Sequence, residues 1–135
     1  MRRLREFHGL QEVISGMALG VDTWWAEAAL DLAIPFAAYI PFEAQGARWP
    51  TSVQAHWRNL RSSASREVVL GEHYSVGLLH ARNDAIIKDS SLAVAVLKSS
   101  KTSGGTFSAV VKLRKRKKPF ILLEPEARTI SKEYF

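Results

Sequence analysis

The sequence predicts an α/β fold in three layers, with helices on both faces of a mostly parallel sheet. Short apolar runs of strand length alternate along the chain with helical stretches, the order from which parallel sheets are built. One run, Leu92–Leu97, is continuously apolar, as a central parallel strand covered on both faces should be. Size sets the remaining bound. A chain of 135 residues can bury a real core yet falls short of two ordinary domains, so residues 1–135 are expected to form one.

The elements follow in order. Arg2–His8 reads as a short amphipathic helix and Glu12–Ser15 as the first strand. Gly16–Val21 is a loop, and Asp22 is expected to cap an Ala-rich helix that ends near Ala33, before Pro35. Phe36–Ile40 is the next strand, then a loop runs through Pro50, Thr51–Ser65 is a helix and Arg66–Leu70 a strand. After a turn at Gly71–Tyr74, Gly77–Asp89 sets Leu78, Ala81, Ala85 and Ile86 on one side of a helix. Beyond Leu92–Leu97, Ser99–Gly105 is a polar loop and Thr106–Lys117 the last helix, with Phe107, Val110, Val111 and Leu113 as its apolar positions. Phe120–Leu123 closes the sheet, and the tail after Glu124 shows no pattern.

A fold of this type ordinarily opens on a strand, whereas the first element here is a helix. The opening strand is therefore expected to be missing. Its loss would leave backbone groups unpaired along Glu12–Ser15 and Leu92–Leu97. Either these two runs pair directly, or a second copy covers the exposed surface through Trp24, Trp25 and the Ala-rich helix. A two-fold homodimer is expected on that ground.

Composition excludes several classes of function. With 47% hydrophobic and 24% charged residues, the chain is globular rather than disordered. No apolar run approaches the roughly 20 residues that span a bilayer. Met1–Arg2–Arg3 is not followed by a signal-type apolar core, so a cytoplasmic setting without a membrane partner is expected. The absence of cysteine excludes disulfides, thiolate nucleophiles and zinc–thiolate sites. His8, His56, His73 and His80 lack ligand spacing, so no metal is expected, and neither a nucleophile elbow nor a Walker-type loop occurs. The net charge of +6 includes five cations from Arg114–Lys118, which leaves the rest of the chain at only +1. A solvated helix end explains that cluster better than a nucleic-acid face does.

Two glycine loops carry the chemistry. Ser15–Asp22 joins a strand to a helix, with Gly16 and Gly20 near its ends. Glycine there lets a ligand approach the main chain closely, and the helix start offers free N–H groups to phosphate. Ser15 can donate a hydrogen bond, while Asp22 either caps the helix or accepts one from a ribose hydroxyl. Ser103, Gly104, Gly105 and Thr106 repeat the arrangement after Leu92–Leu97, adding two hydroxyls where an anion would sit. Both loops follow strands at their carboxyl ends, where open α/β sheets of the Rossmann type bind ligands.

At these residues the chain resembles a family. Val13-Ile-Ser-Gly-Met-Ala-Leu-Gly-Val-Asp22, followed by Thr23-Trp-Trp-Ala-Glu-Ala-Ala-Leu30, is similar to the signature of the SLOG superfamily. That group includes the DNA-processing protein DprA (Smf), the cytokinin-activating LOG proteins and the YpsA-like proteins. Ile40-Pro-Phe-Glu-Ala-Gln-Gly-Ala-Arg-Trp-Pro50 points to the YpsA-like branch, and Ala81–Asp89 and Ser103–Thr106 fit it. The resemblance runs from about Gly9 to Pro125.

It implies a Rossmann-like fold that binds a nucleotide or a nucleotide-derived molecule. Ser15, Gly16, Gly20 and Asp22 would form one wall, Ser103, Gly104, Gly105 and Thr106 would hold phosphate, and Arg82 and Asn83 match the family's Arg-Asn pair. Two departures matter. The opening strand carries a Gly- and Arg-containing turn in relatives. LOG-type phosphoribohydrolases place a glutamate three residues after the threonine of the second loop, where this chain has Ala109.

Glu43 and Arg48, after the strand Phe36–Ile40, are candidates for recognising a base, and Trp49 for packing beneath their loop. Trp24 and Trp25 are adjacent on a helix and cannot both face one site, so one is expected to pack inward. The leading expectation is a binding module for ADP-ribose, an NAD fragment or a nucleoside monophosphate, with no cofactor required beyond that bound nucleotide. The alternatives are an N-glycosidic hydrolase, with Glu43 or Asp22 replacing the missing carboxylate, and single-stranded DNA binding through Arg82 and Arg114–Lys118.

Overall fold

A computed structural model describes residues 1–135, and the chain has the Rossmann-like alternation of helices and strands. It divides into two compact units, Met1–Arg82 and Asn83–Phe135. No helix is long and apolar enough to cross a membrane.

The first unit runs α1 (Arg2–His8), β1 (Val13–Ser15), α2 (Val21–Asp31), β2 (Phe36–Ile40), α3 (Thr51–Ser62) and β3 (Arg66–Val69), ending within α4 (Val76–Asp89). Its sheet has the order β1-β2-β3 and is wholly parallel, with Val13 opposite Phe36 and Ala37 opposite Arg66. Strand β2 lies in the middle, and all five of its residues are buried, as its unbroken Phe-Ala-Ala-Tyr-Ile run requires. Helix α2 buries Thr23, Ala26 and Ala29, whose spacing of three puts small side chains on one face. Helix α3 adds Trp57 and Leu60 to the core around Phe36, Ala38 and Ile40. Trp25 packs against that core, whereas Trp24 is 65% exposed, so the adjacent tryptophans do divide between inside and outside.

The second unit takes the rest of α4, then β4 (Ala93–Val96), α5 (Gly105–Lys115), β5 (Phe120–Glu124) and β6 (Thr129–Glu133). Its sheet order is β4-β5-β6, with β5 parallel to β4 and antiparallel to β6. Ile87, Ala95, Val110, Leu113 and Phe120 form its core.

Five expectations are corrected. Helix α2 is capped by Gly20, at φ 92, and Asp22 stands in its first turn. A left-handed glycine starts the helix earlier than an aspartate cap would, and the helix ends at Asp31 rather than near Ala33. Leu92–Leu97 does not supply a central strand, because β4 pairs with β5 alone and β5 holds the middle. Direct pairing of Glu12–Ser15 with Leu92–Leu97 does not occur, since the strands belong to different sheets. Helices α2, α3 and α5 each join strands that pair, while α4 joins strands that do not. The tail after Glu124 is structured, turning back as β6 against β5.

Candidate functional site

Loop Gly16–Gly20 is held shut from inside. The Ser15 hydroxyl donates to the Asp22 carbonyl at 2.7 Å and accepts from the Met17 amide at 3.2 Å, and Ser15 is 1% exposed. Its role in the structure is to close the loop, and its hydrogen-bonding capacity is largely occupied there. Met17 is fully buried with φ 58, and its carbonyl accepts from the Trp57 indole N–H at 2.8 Å. That long-range bond seats the loop on α3.

Asp22 and Arg82 converge in front of Gly16. Asp22 Oδ2 accepts from the Ala18 amide at 3.2 Å, and Arg82 Nη1 donates to the Gly16 carbonyl. A Cβ on Gly16 would sit 2.8 Å from Asp22 Oδ2 and 2.9 Å from Arg82 Nη1, closer than real contacts allow. Gly16 is therefore required by the approach of two charged groups to the main chain. Burial raises the Asp22 pKa above its ordinary 3.8, outweighing the attraction of Arg82 and the Ala18 hydrogen bond, which lower it. Burial likewise lowers the Arg82 pKa, against the pull of Asp22.

The sign of the Asp22 shift gives a testable result. Because the folded state holds the proton more tightly, this group's stabilisation is present below pH 3.8 and is lost as pH rises through the folded-state pKa. Asp22→Asn imitates the protonated carboxyl. Its stability relative to the parent should therefore rise across that window in urea titrations at stepped pH. A difference independent of pH would reject burial as the governing cause.

The second loop is open. Ser103, Gly104, Gly105 and Thr106 are all exposed, and Gly104 caps α5 at φ 100 with no side-chain hydrogen bond. No protein group bonds the Ser103 or Thr106 hydroxyl. At the foot of this loop, Glu124 accepts from the Ser99 amide at 3.1 Å and from the Ala127 amide. Those bonds, that of Ala127 first, lower its pKa. Asn83 lies 3.8 Å from where a Cβ on Gly105 would be. Ala109 packs against the core of its unit.

Glu43 and Arg48 are not partners. Glu43 is held by Arg61 at 2.8 and 3.1 Å, and Arg61 also binds Glu67 at 2.8 and 3.0 Å. These hydrogen bonds lower the pKa of both glutamates. Arg48 borders a separate hollow with Phe42 and Tyr74. Trp49 packs edge-on to Trp57, their centroids 5.9 Å apart, in the supporting role expected of it. The basic run is partly neutralised: Arg114 binds Glu133 at 2.8 Å, Arg116 binds Asp84 at 3.5 Å, and Lys118 donates to the Ser90 carbonyl. No group of three His, Asp or Glu side chains comes together to hold a metal.

A model described as the YspA SLOG family matches residues 1–124, a span that contains both glycine loops, the Arg82–Asn83 pair and the turn after β2. The chain belongs to the YspA SLOG family. No curated protein matches it. Within the family span, sequence reasoning missed three contributors: Trp57 beneath the first loop, Arg61 between two glutamates, and Glu124 under the second loop. Trp57 has an amphipathic signal, recurring with Val53 and Leu60 on one helix face, but nothing local marks its indole N–H for Met17. Strand β6 lies beyond the matched residues.

Proposed function

We propose that the protein binds a nucleotide-derived small molecule, with ADP-ribose, an NAD fragment or a nucleoside monophosphate as the candidate ligands. The observation that carries this reading is the second loop. Its two hydroxyls lack protein partners, and its amides start an eleven-residue helix with no side-chain cap. That is the chemistry of a phosphate cradle. Family membership supports it, because SLOG domains generally bind such ligands. In this reading Ser103, Gly104, Gly105 and Thr106 take phosphate. Asn83 is the second unit's candidate for a ribose or base contact. Taken by itself, the first unit offers Gly16, Gly20, Asp22 and Arg82 as candidate main-chain and charged contacts, with Ser15 shaping their loop and Glu43 and Arg48 as candidates for recognising a base. A thermal-shift screen with AMP, ADP-ribose and NAD, followed by calorimetry, tests it: saturable stabilisation by at least one is expected, and none from any would reject it.

A nucleotide N-glycosidic hydrolase is the second reading, favoured by the half-buried Asp22 carboxyl beside Arg82. Glu43 suits that role less, because Arg61 holds it ionised. Free base released from AMP by the parent but not by Asp22→Asn would establish the hydrolase. Single-stranded DNA binding is weakened by the ion pairs that occupy Arg114 and Arg116.

We also infer a cytoplasmic homodimer that uses the outer face of α2 and the turn before it. Leu19, Val21, Trp24 and Leu30 are 42–65% exposed there, an apolar surface that a second copy would cover. Sedimentation equilibrium should show a dimer for the parent and a monomer for Trp24→Glu. A monomeric parent would reject the interface.

A further inference from the structure

The second loop has little of its own to hold it in place. Every residue from Lys98 to Thr106 is exposed, so no buried apolar side chain anchors the stretch that leads from β4 into α5. Within it, the Lys101 amide bonds the Lys98 carbonyl at 3.0 Å, which tightens one turn and fixes nothing beyond it. The group that places this stretch comes from the end of β5. Strands β4 and β5 are parallel, with Val96 opposite Leu123, so the segments leaving their carboxyl ends start side by side.

Glu124, the last residue of β5, is 8% exposed. Its Oε1 accepts from the Ser99 amide at 3.1 Å and its Oε2 from the Ala127 amide. The Ala127 bond spans three residues and alone would only close the β5–β6 turn. The Ser99 bond spans 25 residues and holds the approach to the second loop. Lys98 and Glu126, 3.5 Å apart, join the same two segments, but both side chains are more than half exposed, so that pair adds little. Amides bonded to a carboxylate make charge-assisted bonds, about twice as strong as neutral ones. One carboxylate is thus the main tie between the second loop and the β5–β6 turn.

We propose that Glu124 is a positioning residue for phosphate at the second loop: by fixing Ser99 against the β5–β6 turn, it sets where the amides of Gly105 and Thr106 meet the anion. This rests on the phosphate-binding role proposed for that loop. Recognition by main-chain amides depends on their aim, so a loop free to drift binds less well even when every group in it is intact. Glu124 acts through the loop and needs no contact with the ligand. Ala127 and the strand after it lie beyond the residues matched to the family, so the β5–β6 hairpin becomes part of the site's support.

The test compares AMP with adenosine, which lacks the phosphate, by amide chemical-shift titration of the full chain and of Glu124→Gln. Glutamine has the same shape but a single acceptor oxygen, and its NH2 opposes whichever amide is left. The variant should bind AMP roughly tenfold or more weakly and adenosine as the parent does. Glu124→Asp, which keeps the charge, should recover part of the loss. Without ligand, the Ser99 and Ala127 amides should exchange with solvent faster in Glu124→Gln, by a larger factor than the core amide of Val110. AMP affinity equal to the parent's, equal losses for AMP and adenosine, or unaltered exchange at Ser99 would each overturn the positioning role and leave phosphate binding standing. A parent that binds none of AMP, ADP-ribose and NAD would reject phosphate binding at the loop, and the positioning role with it.

Discussion

Gly105→Val is expected to weaken nucleotide binding by roughly a hundredfold or more while the fold survives. The first residue of α5 has ordinary backbone angles, and a Cβ there meets only Asn83 Nδ2, at 3.8 Å. Folding therefore tolerates the side chain, and valine ranks above glycine in helix propensity. An anion held by the amides of Gly105 and Thr106 would occupy the space the isopropyl group fills. Gly104 cannot serve as the same probe, because its φ of 100 strains any other residue whatever the ligand does. Calorimetry with AMP and ADP-ribose, alongside a thermal melt, separates loss of binding from loss of fold. A variant that melts like the parent and binds like it would remove this loop from the site.

Arg82→Ala should strongly destabilise the first unit. Arg82 is 8% exposed, donates to the Gly16 carbonyl and stands beside the Asp22 carboxylate. Truncation leaves a carbonyl and a carboxylate partly buried without their cation, an effect of about 3–5 kcal/mol for a buried pair. For a chain of this size that corresponds to roughly 10–20 °C in Tm. Adding Asp22→Asn should restore part of the loss, because the uncompensated charge is gone, so the two changes should be non-additive in a double-mutant cycle. Additive losses would mean that the two groups do not interact. Lysine at position 82 should not substitute well, since one ammonium lacks the planar set of donors of a guanidinium.

Much of the candidate site is legible because its signals are local. A glycine loop between an apolar run and a helical one marks a strand-to-helix turn, and both loops join a strand to a helix in the structure. What each loop does with its hydroxyls was not legible. Ser15 and Ser103 look alike in sequence, yet one is enclosed by Asp22 and Met17 and the other faces solvent. Glu43 and Arg48 stand five residues apart in one loop, but the partner of Glu43, Arg61, comes from the following helix.

By itself the sequence determined the order and type of the elements from Arg2 to Glu124, because hydrophobic periodicity and turn residues act over a few positions. Phe36–Ile40 illustrates this, since a five-residue apolar run bounded by Pro35 and Pro41 has the length of a strand, and all five residues are buried. Tertiary structure alone decided which strands pair, and with them that β5 rather than β4 takes the middle of its sheet. It also decided that Thr129–Glu133 is a strand. Four of its five residues are exposed, so no apolar face announces it, and its order comes from the backbone ladder to β5 and from the bond between Glu133 and Arg114. Pairing of this kind is a property of the partner strand, and a residue's own sequence neighbourhood does not encode it.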